Sequence, residues 1–328
     1  MGTNDKKISI CSTVYNNGKT IRTSLTSIIK QLPGFSKNFE IIVVDNYSTD
    51  GTWRVLKTFA KKYQNVKISQ QKCTLGKGRA LAYNRSMGNY IVFVDLDQIY
   101  EPIFSKILLR SIKMYKTGSI LNGVMDRKTM DKIGNWGDFL GGEEWEFNAR
   151  ALSKGIKIYT FPVHIFRNQI VKANRQKRYA KNILSKFLRS YKHIDVRVRA
   201  VGFKNLRVVN GRSNVGTILA KVSFIKSMIL KQKFYRYSNY RSNEEYVYAE
   251  SHILSPSTMG LSKCYWVYVL TPRAIEYKIF NKTLSQLMQI GFNRAEFIGY
   301  RHLLLYTDKT DPKTIEFYRK FYMAFDKY

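Results

Sequence analysis

The sequence predicts an α/β fold: a mostly parallel sheet in the first half, then a strongly basic α/β extension in the second. Three observations predict it. Apolar runs of strand length alternate with helical stretches up to about residue 160. Polar and acidic residues follow those runs immediately, where parallel sheets hold their ligands. The charge is uneven: residues 1–164 hold 25 Lys and Arg against 13 Asp and Glu, and residues 165–328 hold 31 against 10.

Taken in order, Ile8–Val14 reads as the first strand and Lys19–Gln31 as a helix. Glu40–Val44 is a strand and Trp53–Lys62 a helix. Val66–Ser69 is a short strand and Arg79–Met87 a helix. Tyr90–Val94 is a strand that ends at Asp95. A helix opens after Gly141-Gly142 and runs to Ser153, and Lys157–Phe161 is again a strand. In the second half Tyr265–Leu270 and His302–Tyr306 read as strands and Lys282–Ile290 as a helix. The 328 residues suffice for about two domains, divided here at 1–167 and 168–328.

Hydrophobic residues make up 44% and charged residues 24%, a core-building composition that excludes a disordered chain. A net charge of +33 implies an anionic partner: nucleic acid, a phosphorylated substrate or an acidic membrane surface. Cys11, Cys73 and Cys264 are too few and too scattered for a disulfide framework or a zinc site. Reduced thiols in a cytosolic compartment are the simpler expectation. No run approaches the ~18 apolar residues of a membrane span, and the N-terminus lacks the apolar core of a signal peptide. The expected location is cytoplasmic, with peripheral attachment at the inner face of the membrane left open.

Lys172–Arg207 carries 12 Lys and Arg against one acid, Asp195. Leu184, Phe187, Leu188 and Tyr191 recur there at helical spacing. Such a helix binds an anionic membrane surface through charge and stripe together. It also fits a helix packed on the first domain through the same stripe. A third reading has the charge draw in an acidic glycan or nucleic acid.

Four clusters carry chemistry. Thr13-Val14-Tyr15-Asn16-Asn17-Gly18 follows the first strand; its hydroxyl and ring suit a nucleobase, and a polar turn capping a helix explains it equally. Asp45-Asn46-Tyr47-Ser48-Thr49-Asp50-Gly51-Thr52 follows the second; Asp45 reads as a ligand and Asp50 as a helix cap. Asp95-Leu96-Asp97 leaves a buried strand. Two carboxylates so placed repel unless a divalent ion bridges them to a diphosphate. Gly141-Gly142-Glu143-Glu144-Trp145 opens a helix. Its acids suit the helix dipole, and they equally suit a general base aimed at a hydroxyl.

In this order the clusters resemble the GT-A-fold glycosyltransferases of family 2, over roughly Lys7 to Arg167. The most specific match is Val44-Asp45-Asn46-Tyr47-Ser48-Thr49-Asp50-Gly51-Thr52, against the family's Val-Asp-Asp/Asn-x-Ser-x-Asp-Gly-Thr. The resemblance implies a GT-A, Rossmann-like sheet, a nucleotide-sugar donor of the UDP or GDP type, Mn²⁺ or Mg²⁺, and inversion at the anomeric carbon. It implies that Thr13, Tyr15, Asp45 and Asn46 hold the nucleoside, that Asp95 approaches the ribose, and that Asp97 holds the metal. His164 stands where many such enzymes have a metal-binding His. Glu144 is the implied base, with Glu143 as its alternative. The family's Arg-Asn dipeptide is Tyr83-Asn84 here, so Lys77 or Arg79 supplies the positive charge near the diphosphate. The implied acceptor is a glycan hydroxyl or a lipid-linked group, and no stable nucleic-acid partner is expected. Two rival classes remain: a nucleic-acid-binding protein, suggested by Lys233–Arg241, and a metal-dependent nucleotidyltransferase, which lacks a glycine-rich phosphate loop here.

Overall fold

A computed structural model describes residues 7–100, 103–160, 167–169, 182–201, 214–232, 251–253, 265–270, 294–297 and 302–307. Its centre is β1 (Ile8–Val14), flanked by parallel strands β2 (Phe39–Asp45) and β4 (Tyr90–Phe93). β3 (Val66–Gln70) extends the sheet beyond β2, also parallel. On the other side lie β7 (Val124–Asp126), β6 (Ser119–Leu121), β8 (Lys157–Thr160) and β10 (Ser251–Ile253). The order is β10-β8-β6-β7-β4-β1-β2-β3, and only the pairings of β7 are antiparallel.

Strand periodicity sorts the side chains into two cores. Phe39, Ile41 and Val43 of β2 face one layer, and Ile42 and Val44 face the other. The first layer holds α1 (Ile21–Ile29), α3 (Thr52–Lys62) and α5 (Ile103–Met114). The second holds α4 (Leu75–Arg85), α6 (Arg127–Ile133) and α7 (Glu143–Ser153). A short α2 (Phe35–Asn38) leads into β2. Burial on both faces is why β1 and β2 read as nearly unbroken apolar runs.

Glu40 is fully buried at the start of β2. Its carboxylate accepts from Ser9 Oγ at 2.6 Å and from the Gly88 N–H at 3.0 Å, and it pairs with Lys67 at 2.9 Å. This clamp closes the amino ends of three neighbouring strands and leaves the carboxyl ends to the site.

The long helix α8 (Ile183–Val201) packs on α7, and α9 (Asn214–Ile229) packs on α8. Val198 and Ala220 form the buried seam between α8 and α9. Asp195 accepts from Ser223 Oγ at 2.6 Å and pairs with Lys226 at 3.2 Å. Of the stripe that fitted either packing or a membrane surface, Leu184, Phe187 and Leu188 are exposed and Tyr191 is half-buried. α8 buries Val196, Val198 and Ala200.

The strands β5 (Gln98–Tyr100) and β9 (Arg167–Gln169) pair antiparallel. β11 (Tyr265–Leu270), β12 (Arg294–Phe297) and β13 (His302–Thr307) form a separate antiparallel sheet in the order β11-β13-β12. The helix expected over Lys282–Ile290, Cys264, and the ends of the Lys172–Arg207 segment lie outside the described residues. α4 begins at Leu75, four residues before the expected Arg79, because Thr74 caps it by accepting from the Lys77 N–H at 3.1 Å. No described helix is long and apolar enough to cross a membrane.

Candidate active site

A cavity of about 740 Å³ opens at the carboxyl ends of β1, β2 and β4. Thr13, Tyr15, Asn46, Arg79, Asp95, Asp97, Glu143 and Glu144 all line it. The structure thus gathers eight of the residues singled out from the sequence, drawn from five separate segments.

The centre of the site is Arg79. Its guanidinium lies 3.3 Å from Asp95, 3.1 Å from Glu143 and 2.9 Å from Glu144. It rests on the Trp136 ring, 4.8 Å from the centroid, and Trp136 stacks on Phe147 at 4.2 Å. Burial disfavours its charge, yet the carboxylates of Glu144, Asp95 and Glu143 drive its pKa above the ordinary arginine value. The charge expected near a diphosphate is therefore spent on three carboxylates. Lys77, the other cation considered, is exposed and does not line the cavity.

The two glutamates differ. Glu143 is buried, and that burial pushes its carboxyl up to about 7 against the pull of Arg79. The Glu144 side chain is 61% exposed, at the mouth of the cavity. Both start α7, whose N-cap Gly142 has φ 76°. That left-handed angle favours glycine.

Asp45 departs from the expectation that it is a ligand. It is fully buried and does not line the cavity. Its carboxylate accepts from the Ser48 hydroxyl, from the Ser48 N–H at 3.2 Å and from Gln70 Nε2 at 2.9 Å. Its neighbour Asn46 takes the wall position, and the Asn46 Oδ1 accepts from the Cys73 N–H at 2.9 Å. Asp50 is not the helix cap expected of it, because the N-cap of α3 is Gly51; Asp50 instead accepts from the Gly18 N–H at 2.8 Å and the Thr52 N–H at 3.2 Å and so joins two loops.

Thr13 sits against α4 because residue 78 is glycine; a Cβ there would lie 2.3 Å from the Thr13 side chain. The Thr13 Oγ1 is buried and has no hydrogen-bond partner among the described residues, as suits a group that faces a ligand. The Asp95 N–H donates to the Tyr100 hydroxyl at 3.1 Å, and that hydroxyl donates back to the Asp95 carbonyl at 3.0 Å. This pair fixes the turn that presents Asp95 and Asp97. Cys73 also lines the cavity, but burial, then Asp138 and Asp45, push its thiol up to about 11. It stays protonated at neutral pH and is a poor nucleophile.

Asp95 and Asp97 offer two carboxylates to a cation. Among the described residues no three His, Cys, Asp or Glu side chains come together as a metal group. A pair of carboxylates fits Mg²⁺ or Mn²⁺, which complete their shells with substrate phosphates and water. His164 lies outside the described residues.

Sequence reasoning missed the second wall. Asn182, Ser185, Arg189, His193 and Arg197 of the α8 region line the same cavity. Burial, then the charges of Arg189 and Arg197, push His193 down to about 4, so it is neutral at pH 7. The signal was present as Arg189-x-x-x-His193-x-x-x-Arg197, a single helical face. In an amphipathic helix with 12 basic residues in and around it, that row does not stand out from the rest of the charge.

The family model described as Glycosyl transferase family 2 matches residues 9–175. Over 113 residues the chain is 34% identical to the glycosyltransferase GlyA of Streptococcus pneumoniae, a match covering 34% of this chain and 16% of that protein. Over 108 residues it is 38% identical to a poly(ribitol-phosphate) beta-glucosyltransferase of Bacillus spizizenii, covering 32% of this chain and 16% of that protein. These matches span about a sixth of either relative's length. The structure of Staphylococcus aureus TarS 1-349 in complex with UDP-GlcNAc is similar at a TM-score of 0.45 and 14% identity, covering 93% of this chain and 100% of that one.

Proposed function

This chain belongs to glycosyl transferase family 2, and on that footing we propose that it moves a sugar from a nucleotide-diphosphate donor to an acceptor hydroxyl or lipid phosphate with inversion. The observation that carries the proposal is the Arg79 cluster. One buried cation holds Asp95, Glu143 and Glu144 at the floor and mouth of a cavity that Thr13, Tyr15 and Asn46 also line. A carboxylate that could accept a proton and polar side chains suited to a nucleoside share that cavity, which supports this reading.

Thr13, Tyr15 and Asn46 hold the nucleoside, with Asp95 near the ribose. Asp45 acts from behind, keeping the Ser48 turn and β3 in place. Glu144 takes the proton from the attacking hydroxyl, because it is the exposed member of the pair. Glu143 and Arg79 are positioning residues that hold Glu144 and Asp95. One displacement inverts the centre, so no protein nucleophile is required, in keeping with the protonated Cys73. Asp97, with Asp95, would hold a divalent cation. The chemistry such a cation supplies is neutralisation of the charge on the departing diphosphate.

The exposed Ile183, Leu184, Phe187 and Leu188 support seating α8 on an anionic membrane surface. Liposome co-sedimentation at low and high salt tests that part. The reaction itself is tested by nucleotide release: turnover of UDP- or GDP-sugars that depends on Mn²⁺ or Mg²⁺ supports it. Salt-sensitive oligonucleotide binding with no nucleotide released from any sugar donor would replace it with the nucleic-acid reading.

A further inference from the structure

α8 carries two faces. At about 100° per residue, Asn182, Ser185, Arg189, His193 and Arg197 fall within an arc of roughly 120°. All five line the cavity. Ile183, Leu184, Phe187 and Leu188 lie around the other side, exposed. From Ser185 to Arg197 the polar face runs ~18 Å along the helix.

This face is fixed to the element that bears Glu144. A Cβ at Gly141 would lie 2.1 Å from His193 Nε2, and one at Gly142 would lie 3.3 Å from Val196. The glycine pair therefore lets α8 close onto the start of α7. The Arg197 guanidinium lies 5.6 Å from the centroid of the Trp145 ring, next in sequence to Glu144. The nucleoside residues Thr13, Tyr15 and Asn46 come from β1 and β2 and the loops that follow them. Arg189 and Arg197 thus belong to the side on which the attacking hydroxyl must arrive.

We propose that the α8 face carrying Arg189, His193 and Arg197 binds the oxyanions of an extended anionic acceptor and lays it against Glu144. Guanidinium forks bind phosphate and carboxylate oxygens in pairs, with more directional selectivity than an ammonium. The neutral imidazole between them adds a hydrogen bond without adding repulsion between the two arginines. A groove of this length matches a chain with repeated charges rather than one small anion. The word acceptor rests on the transferase reading; the anion site itself does not.

Calorimetric titration of the whole protein, with UDP or GDP present, decides it. The probes are an oligo(glycerol phosphate), an oligogalacturonate and a neutral malto-oligosaccharide of similar length. At low salt at least one anionic probe binds at least tenfold more tightly than the neutral one, and the better of the two names the oxyanion. Arg189→Ala weakens that probe tenfold or more while nucleotide affinity moves less than twofold, and Arg189→Lys recovers only part of the loss. Arg197→Ala does the same, with circular dichroism to check the fold because Arg197 touches Trp145. Equal binding of all three probes overturns the proposal, as does an Arg189→Ala protein with unchanged probe affinity. A tenfold loss of nucleotide affinity instead would assign the arginines to the donor. A protein that binds no nucleotide but binds the anionic probe through Arg189 would end the transferase reading and keep the site.

Discussion

The cavity has two walls that are built in opposite ways. The strand-end wall draws one or two of its polar residues from each of five segments, namely the ends of β1, β2 and β4 with the residues that follow them, α4 and α7, and Arg79 gathers charges of mixed sign there. The α8 wall draws a row of residues from one helix, and its charges carry one sign. The first wall is held by hydrogen bonds between named partners, such as Asp45 with Gln70 and Asn46 with Cys73. The second is held by shape, where His193 and Val196 fit over two glycines. Paired charges give a wall that fixes chemistry; a shape-held row of like charges gives one that fixes what can lie against it.

The sharpest way to break the first wall is to remove its cation. Arg79→Ala takes from Asp95, Glu143 and Glu144 the cation they share, and Glu143 is buried. Breaking a buried ion pair from one side costs about 3–5 kcal/mol. A urea midpoint lowered to match is expected, together with loss of activity. An unchanged midpoint would mean that the cluster is decoration on an independently stable sheet.

Chemistry and architecture separate within that wall at its two glutamates. Glu144→Gln keeps the hydrogen bond to Arg79 but cannot accept a proton. Turnover falls on the order of 10²-fold or more, and the affinity for UDP or GDP holds. Should Glu143→Gln show that behaviour and Glu144→Gln not, the two roles exchange.

The two walls were unequally legible in the sequence. Parallel strands buried on both faces give continuous apolar runs, so Ile8–Val14 and Glu40–Val44 were placed almost to the residue. Polar residues at strand ends were legible for the same reason. Pointing was not: Asp45 and Asn46 are adjacent, and only the fold shows that Asn46 lines the cavity while Asp45 turns to Ser48 and Gln70. The reach of Arg79 was also hidden, because α4 begins at Leu75 and carries Arg79 into its interior. For α8 the composition was visible and the orientation was not. Its apolar stripe and its basic row have the same period, and periodicity alone cannot say which one meets the protein.

Gly141→Ala tests whether shape alone holds the second wall. The added methyl has no space against His193, and overpacking of this kind costs about 1–3 kcal/mol. The methyl should be tolerated once the imidazole is gone, so Gly141→Ala combined with His193→Ala should lose less than the two changes added together. Strict additivity in that double-mutant cycle would show that α8 does not rest on the glycine pair.

The smallest effect compares the walls by titration. Glu143 keeps its proton up to about 7 in the folded protein, against an ordinary value of 4.5. Between those pH values the folded state binds more protons than the unfolded chain, so Glu143 makes stability fall as pH rises from 4.5 to 7. His193 is neutral down to about 4, against an ordinary value of 6.5. Between pH 4 and 6.5 the unfolded chain binds more protons, so His193 makes stability rise with pH. The two slopes oppose each other over most of the same window, and the wild-type profile should be shallow there. Glu143→Gln removes the falling term, and its urea midpoint should climb from pH 5 to pH 6.5 more steeply than the wild type's. His193→Gln removes the rising term, and its midpoint should decline over that range. Wild-type and variant curves that stay parallel from pH 4.5 to 7 would show that neither wall titrates as its burial dictates.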